Sequence, residues 1–241
     1  ISGLPVGGWP DQGGDAHFTD RYGCVGAMTG DYGTVFSQWR DVCPEIWSAY
    51  TRHAFVAGLG DGTLPREAFL RYLRQDYVFL VHFSRAWALA IVKSDNLEEM
   101  KMASNLVHAL IHEEMKLHIG VCAAAGISAD ELEQTKELPQ NTAYTRYVLE
   151  AGFSGDFLDL MAALAPCVIG YGEIGARLQI ENTSREYKDW IDTYAHPDYQ
   201  QLCVDVGALI DRSCLQPSWC RLPPDWKMDQ SGSPFRDGDS A

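Results

Sequence analysis

Apolar residues recur every three or four positions from about residue 34 to residue 212, which is the period of an amphipathic helix. No segment with the two-residue period of a strand is bounded by hairpin turns. We therefore predict an all-α fold, a compact multi-helix bundle whose central helices are buried on most sides. The predicted helices cover 34–56 with a kink at Pro44, 65–93, 96–125, a short segment from 128, 142–151, 155–180, 186–194 and 197–212.

Polar and glycine residues mark several of the predicted helix ends. Thr63 is placed as the N-cap of the second helix, with Pro65 in its first turn, where a missing N–H costs little. Asn96 and Glu99 have the spacing of a capping box at the start of the third helix. Gly126 is the expected left-handed terminator of that helix.

The two ends of the chain differ in composition from the middle. Residues 1–27 hold seven glycines and two prolines and show no helical period. We predict a flexible leader over 1–33, with Met28 as the natural start, and a helical domain over 34–212. Residues 213–241 hold four of the eleven prolines and no glutamate, and we predict an irregular tail there.

Charge and cysteine usage exclude several classes of function. With 33 acidic and 19 basic residues the formal charge is −14, which argues against binding to nucleic acid or to an anionic membrane. The seven cysteines are widely spaced and form no CxxC pair, as in a reducing compartment. The longest apolar stretch, 157–175, is broken by Asp159 and Pro166, so we expect a cytoplasmic protein without a membrane span.

A carboxylate interrupts the apolar stripe of the second helix. Asp76 lies among residues spaced by three and four, where an acid must find partners or stay protonated. It either hydrogen-bonds a ligand in an aromatic pocket or bonds to a neighbouring helix. The stripe consists of Phe69, Tyr72, Leu73, Asp76, Phe79, Leu80, Phe83 and Trp87.

The third helix also carries an acid, Glu114, on its apolar stripe. The predicted stripe consists of Ala103, Val107, Leu110, Glu114, Leu117 and Val121. Histidines His108, His112 and His118 lie around it, and His at i and i+4 is a metal-ligand spacing. Because the Glu-x-x-His repeat of di-iron bundles is absent, buried ion-pair or hydrogen-bonding roles are favoured over a metal.

A cysteine follows a proline inside the predicted helix 155–180. Pro166 removes one backbone bond and is expected to kink the helix, with Cys167 at the kink and Tyr171 one turn later. Gly170 and other small residues let another element or a flat ligand approach closely. Cys167 is either an inert core residue or a nucleophile whose base must come from another helix.

These segments together resemble the TenA family, the thiaminase II or aminopyrimidine aminohydrolases. The resemblance extends from about Trp39 to Arg212 and is specific in its combination of motifs. The motifs are Gly58-Leu-Gly-Asp-Gly-Thr-Leu-Pro65-x-x-x-Phe69-x-x-Tyr72-Leu-x-Gln75-Asp76, Glu114-x-x-x-His118, Tyr144-Thr-x-x-Tyr147, Leu164-Ala-Pro-Cys167-x-x-x-Tyr171-x-Glu173-x-Gly175 and Trp190-Ile-x-Thr-Tyr194.

The resemblance implies a heme-oxygenase-like fold assembled as a homotetramer, and an enzyme that hydrolyses the aminopyrimidine side of thiamin or of its breakdown products. Hydroxymethylpyrimidine is the implied product, and no cofactor or metal is implied. Cys167 matches the nucleophile that adds to the pyrimidine ring. Asp76 matches the acid that pairs with a ring nitrogen and the amino group. Tyr144 matches a ring-contacting tyrosine, and Tyr194 matches one near the nucleophile.

The pattern of neighbouring aromatic residues adds to these expectations. Phe79 and Phe83 are expected to stack on the flat ring, and Tyr171 to contact the substrate. Phe79 stands where many members of the family have a tyrosine. The chain after Arg212 lacks the glutamate that the family carries on a further helix.

Two other functions compete with hydrolysis. One is a pyrimidine-binding or regulatory protein without chemistry, in line with the label of transcriptional activator used in this family. The other is a metal-dependent oxygenase on the same fold, using Glu114, His118 and the nearby histidines.

Overall fold

The structure is a computed structural model that describes residues 30–215. Within that range the chain forms α-helices and one π-helical turn, and no strand, which confirms the predicted all-α class. The helices are α1 (Thr34–Val42), α2 (Pro44–Thr51), α3 (Ala54–Asp61), α4 (Arg66–Lys93), α5 (Leu97–Ala109), α6 (Met115–Ala124), α7 (Ala129–Glu133), α8 (Pro139–Ser154), α9 (Phe157–Glu181), α10 (Lys188–Ala195) and α11 (Pro197–Cys214), and the π turn Leu110–Glu114 joins α5 to α6.

Helix α9 is the centre of the bundle. It packs against α4, α8, α10 and α11, and more lightly against α2 and α3. From Phe157 to Gly175 every residue is buried except Asp159, Cys167 and Glu173. The helix is long and apolar enough to cross a membrane by composition, but 83% of its most apolar window is buried inside the fold, as in the core helix of a soluble protein.

The predicted first helix is in fact three short helices, so the expectation of one kinked helix was wrong. Cys43 leaves the helical region (φ −136°) and Pro44 occupies the first turn of α2. Since the residue before a proline avoids the α conformation, Pro44 starts a new helix rather than bending an existing one. A second break follows at His53, whose side chain accepts a bond from the Phe55 amide at the start of α3.

Helix α4 begins later than predicted. Pro65 is its N-cap and Arg66 its first residue, so Thr63 does not cap it. Thr63 instead donates from its hydroxyl and its amide to the Asp61 carboxylate, at the turn where Gly62 ends α3 with φ 78°. Side chain-to-backbone bonds of this kind favour turns over helices.

The caps of α5 and α6 follow the prediction in part. The Asn96 side chain accepts the Glu99 amide, and Gly126 is left-handed (φ 87°) directly after α6. Glu99 does not complete a capping box, because its carboxylate accepts from the Asp95 amide at 2.9 Å and from the Ser213 hydroxyl at 3.0 Å. Glu99 thereby ties the start of α5 to the end of α11.

Both domain boundaries shift by a few residues. Tyr32 is buried in the core, and its hydroxyl donates to Gln200 at 2.7 Å, so the end of the predicted leader packs on the bundle. At the other end α11 continues to Cys214. Residues 1–29, with Met28, and the tail 216–241 lie outside the described residues.

Candidate active site

The fold brings the seven predicted site residues to one region between α4, α8, α9 and α10. Stacking contacts join Phe79 to both Phe83 and Tyr144, and Tyr144 contacts Cys167. The Asp76 charge raises the pKa values of Cys167, Tyr171 and Tyr194, so these three groups lie near Asp76. Asp76, Phe79 and Phe83 come from α4, Tyr144 from α8, Cys167 and Tyr171 from α9, and Tyr194 from α10.

Cys167 is the one position between Leu160 and Gly172 of α9 that is not fully buried. Its Sγ lies 2.7 Å from the Tyr144 hydroxyl. Desolvation raises the pKa of the thiol, the hydrogen bond with Tyr144 lowers it and the Asp76 charge raises it, and together they bring the pKa to about 12. The thiol is therefore protonated at rest, and a nucleophilic role requires loss of that proton after substrate binds.

The Tyr144 hydroxyl can stabilise either state of the cysteine. It also lies 3.1 Å from the Ala163 carbonyl oxygen, which can only accept. A hydroxyl has one proton, so at rest Tyr144 donates to Ala163 while the Cys167 thiol donates to Tyr144. When the thiol is deprotonated, the same hydroxyl turns to donate to the sulfur.

The glycines of α9 admit other protein elements rather than a ligand. A Cβ on Gly170 would lie 2.6 Å from the ring of Tyr50, and one on Gly175 would lie 2.5 Å from the backbone of Tyr194. Tyr50 is buried and donates to the Pro166 carbonyl at 3.1 Å. The sequence leaves open whether these small residues admit another element of the protein or a flat ligand. At Gly170 and Gly175 it is another element that approaches closely.

Asp76 and His118 lie against each other. The Nε2 atom of His118 lies 2.8 Å from the Leu73 carbonyl, so Nε2 carries a hydrogen. Its Nδ1 atom faces an Asp76 carboxylate oxygen at 3.5 Å. His118 thereby joins α6 to two positions of α4.

Burial favours the protonated form of Asp76. Desolvation raises the pKa of this carboxyl, while the His118 charge and a hydrogen bond with Tyr72 oppose the shift. A carboxyl in this state can both donate and accept a hydrogen bond toward a ligand. Of the two roles that the sequence leaves open, the contact with a neighbouring helix is present, through His118 of α6. The role of Asp76 toward a ligand stays a prediction.

Stacked rings form one wall of the cleft. Phe79 stacks on Phe83 with centroids 5.1 Å apart and on Tyr144 at 6.0 Å, with interplanar angles of 28° and 25°. A small cavity behind this wall is lined by Phe79, His82, Phe83, Thr145 and Val148. The wall presents parallel ring faces next to Cys167.

A second aromatic wall includes residues that sequence reasoning missed. Tyr194 lies 4.9 Å from Tyr171, 4.6 Å from Trp190 and 5.0 Å from Tyr199, centroid to centroid. Trp190 Nε1 donates to the Tyr72 hydroxyl at 3.3 Å. Tyr72 and Trp190 stand within the quoted motifs, so the same motifs could have indicated them, whereas Tyr199 has no comparable signal.

The π turn corrects the predicted stripe of the third helix. Leu117 and Val121 are exposed, each by 51%, whereas His118 is half-buried and Cys122 is fully buried. The π turn adds one residue to the helical repeat, so the inward face moves by one position after Glu114.

The histidines proposed as metal ligands therefore do not converge. The His108 and His112 rings pack on each other at 4.7 Å, while His118 is engaged with Asp76. Within residues 30–215 no three His, Cys, Asp or Glu side chains are grouped as metal ligands. The geometry of these residues does not fit the metal-dependent alternative.

A sequence profile described as the TENA/THI-4/PQQC family matches residues 41–218. The chain belongs to this family. An aminopyrimidine aminohydrolase of Halalkalibacterium halodurans is 39% identical over 169 residues, which are 69% of this chain and 75% of that protein. The aminopyrimidine aminohydrolase of Bacillus subtilis is 31% identical over 163 residues, or 67% of this chain and 69% of that protein.

A solved structure is also similar to this TenA family chain. The crystal structure of a protein described as a TenA family transcription regulator, from Silicibacter sp. TM1040, has a TM-score of 0.78 and 58% sequence identity. The match covers 83% of this chain and 89% of the Silicibacter chain. The predicted family and fold are thereby confirmed.

Proposed function

We propose that this protein is an aminopyrimidine hydrolase of the thiaminase II type. It acts on thiamin or on aminopyrimidine breakdown products of thiamin and releases hydroxymethylpyrimidine. The relatives named aminopyrimidine aminohydrolase support this class of reaction. The charge of −14 favours a small neutral or cationic substrate over nucleic acid.

One arrangement carries the proposal: the Cys167 thiol lies next to a group of stacked aromatic rings, and the Asp76 carboxyl group is near enough for its charge to raise the pKa of that thiol. The parallel faces of Phe79 and Phe83 suit a flat ring, which gains both buried apolar area and ring stacking there. An aminopyrimidine presents a ring nitrogen acceptor beside an amino donor. A protonated Asp76 matches both, because its O–H donates to the nitrogen and its carbonyl accepts from the amino group.

The same pairing activates the ring. Proton donation from Asp76 to the ring nitrogen makes the ring electron-poor, so that Cys167 can add through a new S–C bond while the ring nitrogen takes the electron pair. The thiol proton passes to the carboxylate that Asp76 has become. The electron pair then returns and breaks the bond to the substituent, which leaves. Water adds where the substituent was and gives up one proton to the leaving group or to solvent. When the S–C bond breaks, the proton on the ring nitrogen returns to the sulfur and the thiol is restored. Tyr144 stabilises the sulfur anion that forms at the start and at the end.

The test is direct. Purified protein is incubated with thiamin and, separately, with aminomethyl-aminopyrimidine, and hydroxymethylpyrimidine is quantified by liquid chromatography and mass spectrometry. We expect product from at least one substrate, and its loss in Cys167→Ser. Cys43→Ser is the matched control, because Cys43 is also half-buried but bonds only to the Trp39 carbonyl away from the cleft. No product from the unmodified protein, or equal turnover by the two variants, would contradict the proposal.

The second candidate is pyrimidine binding without turnover. The Silicibacter neighbour described as a transcription regulator favours it. Binding of hydroxymethylpyrimidine in calorimetry, together with no hydrolysis of either substrate, is the result that would select it. Direct DNA contact is not part of this candidate, because the chain is strongly acidic.

We also propose a cytoplasmic homotetramer, on the resemblance to the family and on the reduced-type cysteine usage. Light scattering coupled to size-exclusion chromatography measures the assembly. A mass of one chain at micromolar concentration would contradict it.

A further inference from the structure

Three tyrosine hydroxyls contact backbone carbonyls of α9 close to Cys167. They come from three different helices, α2, α8 and α11, which all pack on α9. Each contact is 3.1 Å long, and the pairs are Tyr50 with Pro166, Tyr144 with Ala163 and Tyr199 with Val168. Carbonyls inside an α-helix already accept the amide four residues later, so we ask what the additional donors do here.

The part of α9 that carries Cys167 is a weak stretch of helix. Pro166 has no N–H, so the turn that leads into Cys167 lacks one backbone bond. Gly170 and Gly172 follow in the next turn, and glycine is the poorest helix former after proline. A helix with these residues in its interior depends on its neighbours for a fixed shape.

The Tyr50 bond acts on the peptide group that leads into Cys167. The Pro166 carbonyl lies in one plane with the N–H and the Cα atom of Cys167, because the peptide bond is planar. A donor held on that carbonyl oxygen limits rotation of the plane, and with it movement of the Cys167 Cα atom. The contact of 2.7 Å between Sγ and the Tyr144 hydroxyl depends on that position.

Tyr50 is itself held firmly. It is only 5% exposed, and its ring lies on Gly170, where a Cβ would be 2.6 Å from the ring. Trp47, one turn earlier on α2, packs edge-on against Tyr50 with centroids 5.6 Å apart. The Trp47 Nε1 atom donates to the Glu173 carboxylate at 3.0 Å, which also accepts from Arg40 at 3.3 Å. Helix α2 is therefore bound to α9 at two points that are about two turns apart.

Tyr199 holds the other side of α9. Val168 is two residues after Pro166, which is a rotation of about 200° around the helix. Cys203, one turn after Tyr199 on α11, donates from Sγ to the same Val168 carbonyl at 3.5 Å. Burial raises the pKa values of Tyr50 and Tyr199 well above the ordinary value of 10, so both hydroxyls keep their protons and remain donors.

We propose that Tyr50 and Tyr199 are positioning residues of the hydrolysis, which hold α9 from both sides so that the Cys167 thiol meets the substrate ring in a fixed direction. The inference rests on the proposed function. Each hydroxyl acts through a backbone carbonyl of α9 and exchanges no proton with the substrate. Addition to a ring carbon requires aligned atoms, and a misplacement of about 1 Å can cost about 100-fold in rate. Loss of either bond should therefore slow the chemical step while the substrate still binds.

The test compares Tyr50→Phe with Tyr187→Phe. Tyr187 is also buried, and its hydroxyl donates to the Leu64 carbonyl at 2.6 Å, outside α9. Both substitutions remove one oxygen and keep the ring, so the two thermal midpoints should fall by similar amounts. We expect kcat to fall by about 10–100-fold in Y50F, with KM changed by less than about threefold. In Y187F, kcat should stay within about twofold of that of the unmodified protein.

Hydrogen–deuterium exchange supplies a readout that needs no substrate. The amides of residues 167–172 should exchange faster in Y50F than in the unmodified protein, because the weak stretch of α9 opens more often. In Y187F the exchange of these amides should be unchanged. Equal exchange in Y50F and Y187F would show that the Tyr50 bond does not hold α9, and it would overturn the inference.

The outcomes separate the two proposals. Product formation by the unmodified protein, with equal kcat in Y50F and Y187F, overturns the positioning role and leaves the proposed function standing. A higher KM at unchanged kcat in Y50F does the same, because it indicates a role in binding only. Absence of product from the unmodified protein overturns both. If Y50F does not fold, Tyr199→Phe decides, since its bond lies on the other side of α9: a kcat equal to that of Y187F would overturn the inference.

Discussion

Replacing Tyr144 by phenylalanine isolates the bond between this tyrosine and the proposed nucleophile. The substitution removes one oxygen and keeps the ring that stacks on Phe79. The lost bond, 2.7 Å long in the structure, stabilises the thiolate of Cys167. Hydrogen bonds to charged groups contribute about 1.5–3 kcal/mol. The pKa of Cys167 should therefore rise further, and at about 1.4 kcal/mol per tenfold change the thiolate fraction at a fixed pH should fall by about 10–100-fold.

The assay measures alkylation of Cys167 by iodoacetamide at pH 9, in the absence of substrate, from the mass of the peptide that contains it. Because only the thiolate reacts, the rate in Y144F should be about 10–100-fold lower. Tyr147→Phe is the matched control, since Tyr147 is exposed by 48% and lies on the same helix. Equal rates in Y144F and Y147F would refute the reasoning, and a faster rate in Y144F would show that Tyr144 stabilises the thiol instead.

Three further predictions concern other parts of the site and the fold. Asp76→Asn keeps a hydrogen-bond donor and an acceptor but loses the acidic proton that Asp76 would transfer. Calorimetry should therefore find the affinity for hydroxymethylpyrimidine changed by less than about tenfold, while kcat falls by about 100-fold or more. A parallel loss of affinity and kcat would indicate a binding role only. Gly170→Ala should lower the free energy of unfolding by about 1–3 kcal/mol, because its Cβ meets the Tyr50 ring at 2.6 Å, and a higher thermal midpoint would contradict the contact. Asp211→Ala should cost about 0.5–2 kcal/mol in urea unfolding, because this carboxylate accepts the first two amides of α1, and an unchanged midpoint would show that water replaces it.

The helix pattern was readable from the sequence because it is local. The three- and four-residue period predicted α4, α9 and α11 to within a few residues at each end, and it placed Asp76 and Cys167 on inward faces. The start of α4 was missed by one residue and its N-cap by two, since Pro65 is the N-cap and Thr63 bonds to Asp61 instead. Competition between two side chain-to-backbone patterns of similar strength cannot be decided from their spacing.

The π turn shows where local reasoning ends. A regular helical period predicts that Leu117 and Val121 face inward. The extra residue in the π turn instead exposes both and directs His118 to Asp76. Such a turn adds no hydrophobic signal of its own, and in the bundle it packs against α4. Only the assembled bundle decides which of two neighbouring sets of helix positions faces inward.

By itself, the sequence determined the class of the fold and the family, and it predicted Cys167 and Asp76 as the reactive residues. The tertiary structure decided what stands around them: the Tyr144 bond to the sulfur, the contact of His118 with Asp76, and the burial that raises the pKa of both reactive groups. The physical reason is that helix formation depends on residues within a few positions of each other. The protonation state of a carboxyl or a thiol, in contrast, depends on burial and on charges brought from distant parts of the chain.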